Sequence, residues 1–378
     1  MTKGLILSGG WGTRLRPLTC TIPKTLIPIV NRPVMERQIL KLKEAGVKEI
    51  ILAVSVMSDI VKNYFKDGEK LGIKIYYTNE KFPAGTAGAL KLAESYLSDE
   101  NFFMLNGDVI FNFDFRKMLE FHERKGGIGT IASKLVNDPS RYGVLITDDL
   151  SNKVLKFLEK EEYVPPKEGP KPMPINAGVY LLEPEILSYI EPNKKVSIER
   201  EVFPKVAREK DLFHYPIEGV WKDIGKPEEL LNGNILLLKE LIKNKATSEK
   251  NLISDSVQID PTVTIISPCA IGEKVIIGKN CTIGPNAIIG DNVYIEDNVK
   301  ISNCIVYNES YISQNANIDT AIIADNCLIE EGVTLKGNGE NLIILASYVS
   351  VRKNIKLIAT DKSSITFCHH ELIKDDIF

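Results

Sequence analysis

The chain has 378 residues, enough for two or three domains, and its formal net charge of −3 gives no sign of nucleic-acid or anionic-membrane binding. No apolar run approaches the roughly 20 residues that are needed to span a bilayer, and the N-terminus lacks the cleavage pattern of a signal peptide. These features predict a cytoplasmic protein with neither nucleic acid nor a membrane as its partner.

The first half of the chain alternates strand-like and helix-like segments. Strand candidates occupy residues 3–7, 49–54, 73–78 and 101–106, and helix patterns lie near 33–45, 58–67 and 86–97. Apolar runs between helices are typical of buried, mostly parallel strands. We therefore predict that residues 1–245 form a Rossmann-like α/β domain with a mixed, mostly parallel sheet. Later strands at 143–147 and 175–182 and a proline-rich loop at 164–174 complicate its order.

The pattern changes at residue 251, beyond which isoleucine recurs every six residues. Eight consecutive positions follow this spacing: Ile259, Ile265, Ile271, Ile277, Ile283, Ile289, Ile295 and Ile301. A six-residue period fits neither a helix nor a simple strand, and it is typical of hexapeptide β-helices. We predict that residues 251–378 form a left-handed parallel β-helix. The period is lost in the tail 341–378, for which irregular coils, a strand pair or a terminal cap stay open.

Two further expectations follow from the repeat. A stack of coils has open ends and long apolar faces, so we predict a homo-oligomer assembled through this domain. The chain has no CxxC pair that would indicate zinc. Within the repeat we expect the cysteines to be reduced and buried; these are Cys269, Cys281, Cys304 and Cys327.

A glycine-rich turn follows the first strand and is the first candidate for a binding site. Its glycines let the backbone approach a ligand closely, and successive N–H groups can then surround phosphate oxygens. Arg14 and Arg16 add positive charge, and Lys24 follows in the segment Pro23-Lys24-Thr25-Leu26. The turn is neither a Walker loop nor a GxGxxG motif.

The run LSGGWGTRLRPLT followed by PKTLIPIV resembles the nucleotidyltransferase family that makes nucleotide sugars, whose pattern is near LAGGxGTRLxPLT and PKP. Ser8 and Thr25 depart from that pattern without removing a phosphate-contacting group. The resemblance implies that a nucleoside triphosphate is cradled by Gly9, Gly10, Gly12 and Thr13. It also implies that Arg14 and Lys24 face the phosphates and stabilise the departing pyrophosphate.

Two aspartates match the metal-binding segments of that family. Asp108 lies in LNGDVI and Asp223 in WKDIGKP. Few carboxylates together with substrate phosphates suit Mg²⁺, which prefers oxygen ligands. The implied reaction is an in-line attack by a sugar 1-phosphate on the α-phosphorus of the triphosphate, with release of pyrophosphate.

Three segments resemble the sugar-phosphate site of the family: RYGV, FLEKE and INAG. By this resemblance Lys160 holds the phosphate, Glu159 and Asn176 bind sugar hydroxyls, and the Gly143 backbone contacts the ring. Glu161 replaces the usual proline after the lysine.

The base is predicted from Glu80, which precedes Gly85 and Thr86 of the nucleotide-binding segment. A carboxylate only accepts hydrogen bonds, and guanine presents two adjacent donors. Trp11, residues 85–94 and residues 197–207 also resemble GDP-mannose pyrophosphorylases in particular. The expected substrates are therefore GTP and mannose 1-phosphate.

Three other functions stay open at this point. One is a thymidylyl-, uridylyl- or adenylyltransferase for glucose 1-phosphate, and another is a non-catalytic regulatory subunit. A third is acyl transfer by the coils, which usually needs a histidine base. The four histidines all lie outside residues 251–340: His122, His214, His369 and His370.

Overall fold

A computed structural model describes residues 2–80, 83–166, 169, 171–244 and 250–378. The chain divides into two compact units. The first unit comprises Met1–Trp11, Pro23–Leu26 and Val34–Trp221, and the second comprises Gly12–Ile22, Ile27–Pro33 and Lys222–Phe378. Part of the glycine-rich turn thus belongs with the C-terminal residues. The domain limits 1–245 and 251–378 stay a prediction.

Nine strands form the central sheet of the first unit. They are β1 (Lys3–Ser8), β2 (Glu49–Val54), β3 (Lys74–Asn79), β4 (Phe102–Asn106), β5 (Gly129–Val136), β6 (Val144–Asp148), β7 (Lys153–Leu158), β8 (Met173–Leu182) and β9 (Leu212–Pro216). Their order in the sheet is β3-β2-β1-β4-β8-β5-β9-β7-β6.

The sheet is parallel on one side and mixed on the other. The pairs β3–β2, β2–β1 and β1–β4 are parallel, whereas β8 runs antiparallel to both β4 and β5. In the parallel part, Leu7 is level with Ala53 and with Asn106. The carboxyl ends of β1, β2 and β4 therefore meet at one edge, where a ligand crevice is expected.

Helices cover both faces of this sheet because successive residues of β1 point to opposite sides. Leu5 belongs to one core with Ala87 and Leu90, and Ile6 to another with Ile39 and Leu42. The helices of the first unit are α1 (Val34–Glu44), α2 (Ser58–Phe65), α3 (Gly85–Leu92), α4 (Glu94–Leu97), α5 (Phe115–Lys125) and α6 (Phe203–Glu209). The four strands and three helices predicted before residue 107 are confirmed.

The second unit consists mainly of short parallel strands that stack in register. Ile265 pairs with Ile283, which pairs with Ile301, and similar columns run along two other faces. The strands are Leu252–Ile253, Gln258–Ile259, Thr264–Ile265, Cys269–Ile271, Ile276–Ile277, Thr282–Ile283, Ala287–Ile289, Tyr294–Ile295, Lys300–Val306, Tyr311–Ile312, Asn317–Ile323, Leu328–Ile329, Thr334–Lys336, Ile343–Leu345, Ser350–Val351, Lys356–Ile358, Ile365–Phe367 and Leu372–Ile373. These parallel sheets are compatible with a β-helix.

The tail continues the stack instead of ending it. Ile329 pairs with Val351 and Val351 with Ile373, so each of these steps spans 22 residues, whereas Ile277 to Ile295 spans 18. The extra residues hid the period from the sequence. The strands between Ile343 and Ile373 therefore extend the same parallel sheets.

The core of the second unit contains most of the isoleucines that recur every six residues. Ile271, Ile277, Ile283, Ile289, Ile295 and Ile301 are all buried, whereas Ile259 is partly exposed because it lies in the first coil. The four repeat cysteines are free and buried, as predicted, while Cys20 and Cys368 are free and exposed.

The glycine-rich turn and the last coil touch inside the second unit. His369 Nε2 lies 3.0 Å from the Pro17 carbonyl oxygen, which also accepts a hydrogen bond from Cys20 N at 2.9 Å. Tyr307 and Asn31 make similar contacts, because their side chains donate to the carbonyls of Pro28 (3.1 Å) and Ile289 (2.6 Å), respectively. Helix α7 (Pro227–Lys243) completes this unit. No helix of the described residues is long and apolar enough to cross a membrane.

Candidate active site

A cavity of about 370 Å³ opens in the first unit at the carboxyl edge of the parallel strands. Seven predicted site residues line it: Gly9, Gly10, Lys24, Glu80, Gly85, Thr86 and Asp108. Lys195, which also lines the wall, was assigned no role from the sequence. The topology thus brings together side chains from four separate loops.

Lys24 and Asp108 form an ion pair in this cavity, with 2.6 Å between Nζ and Oδ2. Lys24 is buried, whereas the Asp108 side chain is 39% exposed. Gly107 makes this placement possible because a Cβ there would lie 2.3 Å from the Leu7 carbonyl oxygen. The loop after β4 can therefore fold back against β1 only with glycine at this position.

Glu80 lies beside the glycine-rich turn. A Cβ at Gly9 would be 2.9 Å from Glu80 Oε1, and Glu80 Oε2 accepts a hydrogen bond from Ala84 N at 3.2 Å. Burial raises the pKa of the Glu80 carboxyl, and the Ala84 bond partly opposes this effect. Ser55, which the sequence analysis missed, holds the turn by donating to the Gly9 carbonyl at 2.9 Å.

Gly85 and Thr86 attach helix α3 to the segment around Val196. Gly85 has a φ of +74°, and a Cβ there would lie 2.5 Å from the Val196 carbonyl oxygen, so glycine is required. The Thr86 hydroxyl accepts from Ile198 N at 2.8 Å and donates to Glu199 at 2.7 Å. Its proton is therefore already used within the protein.

Three predicted sugar-site residues converge elsewhere in the first unit. Asn176 N donates to the Gly143 carbonyl at 2.8 Å, and a Cβ at Gly143 would lie 3.4 Å from Glu159 Oε1. Burial raises the pKa of Glu159, and the charge of Glu199 raises it further, while Arg200 lowers it. Lys160 is exposed, and its Nζ lies 4.0 Å from Glu161 Oε1.

The remaining predicted residues, Gly12, Thr13, Arg14 and Asp223, belong to the second unit. The Arg14 guanidinium lies near Gly225, where a Cβ would be 3.2 Å from Nη2 and 3.0 Å from Glu229 Oε2. The segment WKDIGKP and the arginine of the glycine-rich turn therefore meet in one unit, although more than 200 residues separate them.

Residues 3–240 match a family profile described as nucleotidyl transferase, and residues 265–376 match one described as the GMPPB C-terminal domain. The chain belongs to the nucleotidyl transferase family. Among its relatives, "Mannose-1-phosphate guanylyltransferase 1" of Arabidopsis thaliana is 39% identical, over 93% of each chain. "Mannose-1-phosphate guanyltransferase 2" of Candida glabrata is 45% identical over 69% of this chain and 72% of its own length.

Solved structures are also similar to this chain. A putative glucose-1-phosphate thymidylyltransferase from Bacillus anthracis has a TM-score of 0.56 and 25% identity, covering 66% of this chain and 98% of its own. HddC from Yersinia pseudotuberculosis, solved in complex with GMP-PN, has a TM-score of 0.52 and 29% identity, covering 62% and 98%. The predicted family and enzyme class are confirmed.

Proposed function

We propose that this protein transfers the guanylyl group of GTP to mannose 1-phosphate, giving GDP-mannose and pyrophosphate. The observation that carries the proposal is the cavity in which the backbone of Gly9 and Gly10, the Lys24–Asp108 pair and the Glu80 carboxylate meet. The names of the relatives support the same substrates, because one of them matches this chain over 93% of both lengths. The glucose-1-phosphate alternatives have weaker support, since their structural representative is 25% identical.

In this proposal the chain acts mainly by positioning charges. The N–H groups of the glycine-rich turn hold the triphosphate, and Lys24 places its ammonium where negative charge grows on the departing pyrophosphate. The resemblance assigns a phosphate-binding role to Arg14 as well, and we propose that role for this chain. No general base is needed, because the attacking phosphate oxygen is already ionised.

The family generally uses a divalent metal ion, and we propose that Mg²⁺ is the ion here. The donors fit a hard cation, because Asp108 offers a partly exposed carboxylate at the cavity wall. Within the described residues no cluster of three or more His, Cys, Asp or Glu side chains is arranged to hold a metal alone. When bound, the ion would offset charge on the phosphates. The role of Asp223 as a second ligand rests on its segment WKDIGKP.

The sugar 1-phosphate is assigned to Gly143, Glu159, Lys160 and Asn176. Glu159 and Asn176 bind hydroxyls, and the exposed ammonium of Lys160 binds the phosphate. Acyl transfer loses support, because His369 Nε2 faces a carbonyl oxygen, to which it can only donate, and the His370 ring stacks on Tyr348 at 4.8 Å.

Base selection gives the test of the proposed function. Glu80→Gln keeps the size of the side chain but turns one acceptor into a donor that faces the donors of guanine. Losing one hydrogen bond to a charged group costs roughly 1.5–3 kcal/mol, so kcat/KM for GTP should fall about 10- to 100-fold. The measurement is pyrophosphate release with GTP, ATP, UTP and dTTP, each with mannose 1-phosphate and glucose 1-phosphate.

A change in the ratio of kcat/KM for GTP to that for dTTP, with an unchanged KM for mannose 1-phosphate, supports the assignment. Glu49→Gln is the matched control, because Glu49 also lies in the first unit and does not line the cavity. An unchanged GTP-to-dTTP ratio would place Glu80 outside base recognition.

We also propose that the coils form a left-handed β-helix and that they mediate self-association. One outer column of the coils carries Tyr294, Tyr311 and Leu328, which pair in register and are each 37–39% exposed. The rings of Tyr294 and Tyr311 stack at 5.0 Å. An exposed apolar column of this kind is typical of an interface.

Tyr294→Glu combined with Leu328→Glu should lower the sedimentation mass of the full-length protein to that of a smaller assembly. The control combines Thr282→Glu with Asn317→Glu, which places the same two charges on a different outer column of the coils. An identical mass distribution for both proteins would mean that this column is not the interface.

A further inference from the structure

A chain of hydrogen bonds links the predicted sugar site to helix α3. Asn176 Nδ2 lies 2.8 Å from the Tyr180 hydroxyl oxygen, which lies 3.3 Å from Glu199 Oε1. The other oxygen of Glu199 accepts from the hydroxyls of Thr86 at 2.7 Å and Ser197 at 2.8 Å. Glu199 and Tyr180 were assigned no role from the sequence.

The direction of each bond in this chain is fixed by chemistry. An ionised carboxylate only accepts, so the single proton of Tyr180 points to Glu199. Tyr180 is fully buried, and its pKa is raised well above the usual value by burial and by the charge of Glu199, so the phenol keeps that proton. The Tyr180 oxygen must then accept a hydrogen bond from Asn176.

This requirement sets the orientation of the Asn176 amide. Its Nδ2 must face Tyr180, and its Oδ1 is left to face Gly178 N, which donates to it at 3.0 Å. The opposite orientation would place two donors against each other at Gly178 and two acceptors at Tyr180. One amide hydrogen and one lone pair remain for a ligand.

We infer that Glu199 and Tyr180 are positioning residues that fix the amide orientation of Asn176 and thereby its recognition of a sugar hydroxyl. This inference rests on the proposed function of Asn176 in sugar binding. It assigns the specificity for the sugar 1-phosphate to a network that extends two residues, Tyr180 and Glu199, beyond Asn176.

Tyr180→Phe tests the inference, because it removes the hydroxyl and keeps the ring that packs on Phe203. The KM for the sugar 1-phosphate should rise roughly 5- to 20-fold, while the KM for GTP changes less than about twofold. Glu199→Gln should raise the same KM. A glutamine can donate a hydrogen bond to the Tyr180 oxygen, and the Asn176 amide is then no longer held in one orientation. A double-mutant cycle adds Asn176→Ala to Tyr180→Phe.

If Tyr180 acts through Asn176, then Tyr180→Phe should add less than about twofold to the KM in the Asn176→Ala background. An equal rise in both backgrounds, or an unchanged sugar KM in Tyr180→Phe, overturns the inference. Tyr76→Phe is the matched control, because it removes a similar bond, from a tyrosine hydroxyl to Glu49 at 3.2 Å, outside the cavity.

Turnover by the unchanged protein separates this inference from the proposed function. If the protein uses another triphosphate or sugar 1-phosphate, the proposal of guanylyl transfer to mannose 1-phosphate is wrong. The same double-mutant cycle is then measured with the substrates that the protein does use. Without any turnover, calorimetric dissociation constants for mannose 1-phosphate and glucose 1-phosphate replace the KM values. The cycle of Tyr180→Phe and Asn176→Ala should then show the same coupling in the dissociation constants as is expected in the KM values.

Discussion

Asp108→Asn should lower turnover by a factor on the order of 10²–10³ while leaving the fold intact. The change keeps the shape of the side chain but removes the charge that faces Lys24 at 2.6 Å and that would hold the metal ion. The Asp108 side chain is partly exposed, and an amide oxygen in its place can still accept a hydrogen bond from the buried Lys24, so the fold should survive with some loss of stability. The effect should fall on kcat, because the carboxylate acts on charge that develops during the reaction.

Steady-state pyrophosphate release at saturating GTP and mannose 1-phosphate measures this effect, and thermal unfolding reports the fold. Asp211→Asn provides the comparison, since it breaks another Lys–Asp pair, with Lys153 at 2.5 Å, that lies outside the cavity. Turnover near the normal value in Asp108→Asn with Mg²⁺ present would remove Asp108 from the reaction. A fall of the same size in both variants would mean that losing any Lys–Asp pair lowers turnover, whether or not the pair lies in the cavity.

The sequence predicted the parallel half of the sheet because its strands contain short apolar runs bounded by helix patterns. EIILAV, for example, is buried along nearly its whole length and lies between two helices. The mixed half was harder to predict. Strand β9 has only five residues and carries a buried histidine, and its partners β5 and β7 lie far from it in the chain. The sequence LFHYP of β9 therefore shows no continuous apolar run that would predict a strand.

The residues of the candidate site also fall into a group that the sequence predicted and a group that it did not. Lys24, Asp108 and Glu80 were predicted because they lie in motifs that resemble a family. Lys195 lies in a polar loop without a motif, and nothing in the sequence distinguishes it from the neighbouring Lys194. Glu199 lies within the SIEREVFPKVA segment that was recognised. Its role depends on Tyr180 and Thr86, which only the folded chain brings close to it.

The division into units could not be predicted from the sequence either. The six-residue hydrophobic period distinguishes the C-terminal strands from the α/β segments in the sequence. The hydrogen bond between Pro17 and His369, however, joins residues that are 352 positions apart. The buried residues Leu15, Leu18 and Thr19 also belong to the second unit. A motif that resembles a phosphate loop therefore depends on the fold of the C-terminal residues.

Ile283→Asp should unfold the second unit and, with it, abolish turnover. Ile283 is fully buried and packs in the axis of the coils between Ile265 and Ile301. Replacing a buried isoleucine with a smaller side chain costs about 2–5 kcal/mol, and an unpaired buried carboxylate adds to that cost. The cost is comparable to the whole stability of many domains. By contrast, Ile283→Val should cost only about 1 kcal/mol.

The activity is lost because part of the glycine-rich turn, from Gly12 onward, is built into the same unit. Once the coils unfold, Pro17 and Pro28 lose His369 and Tyr307 as hydrogen-bond donors, and the segment that carries Arg14 loses its support. Thr282→Asp is the sharpest control, because it adds the same charge one residue away, on the outer side and level with Lys300. Urea unfolding, limited proteolysis and turnover should each show a large loss for Ile283→Asp and a small one for Thr282→Asp. Full turnover by a protein whose coils are unfolded would show that the turn folds without them.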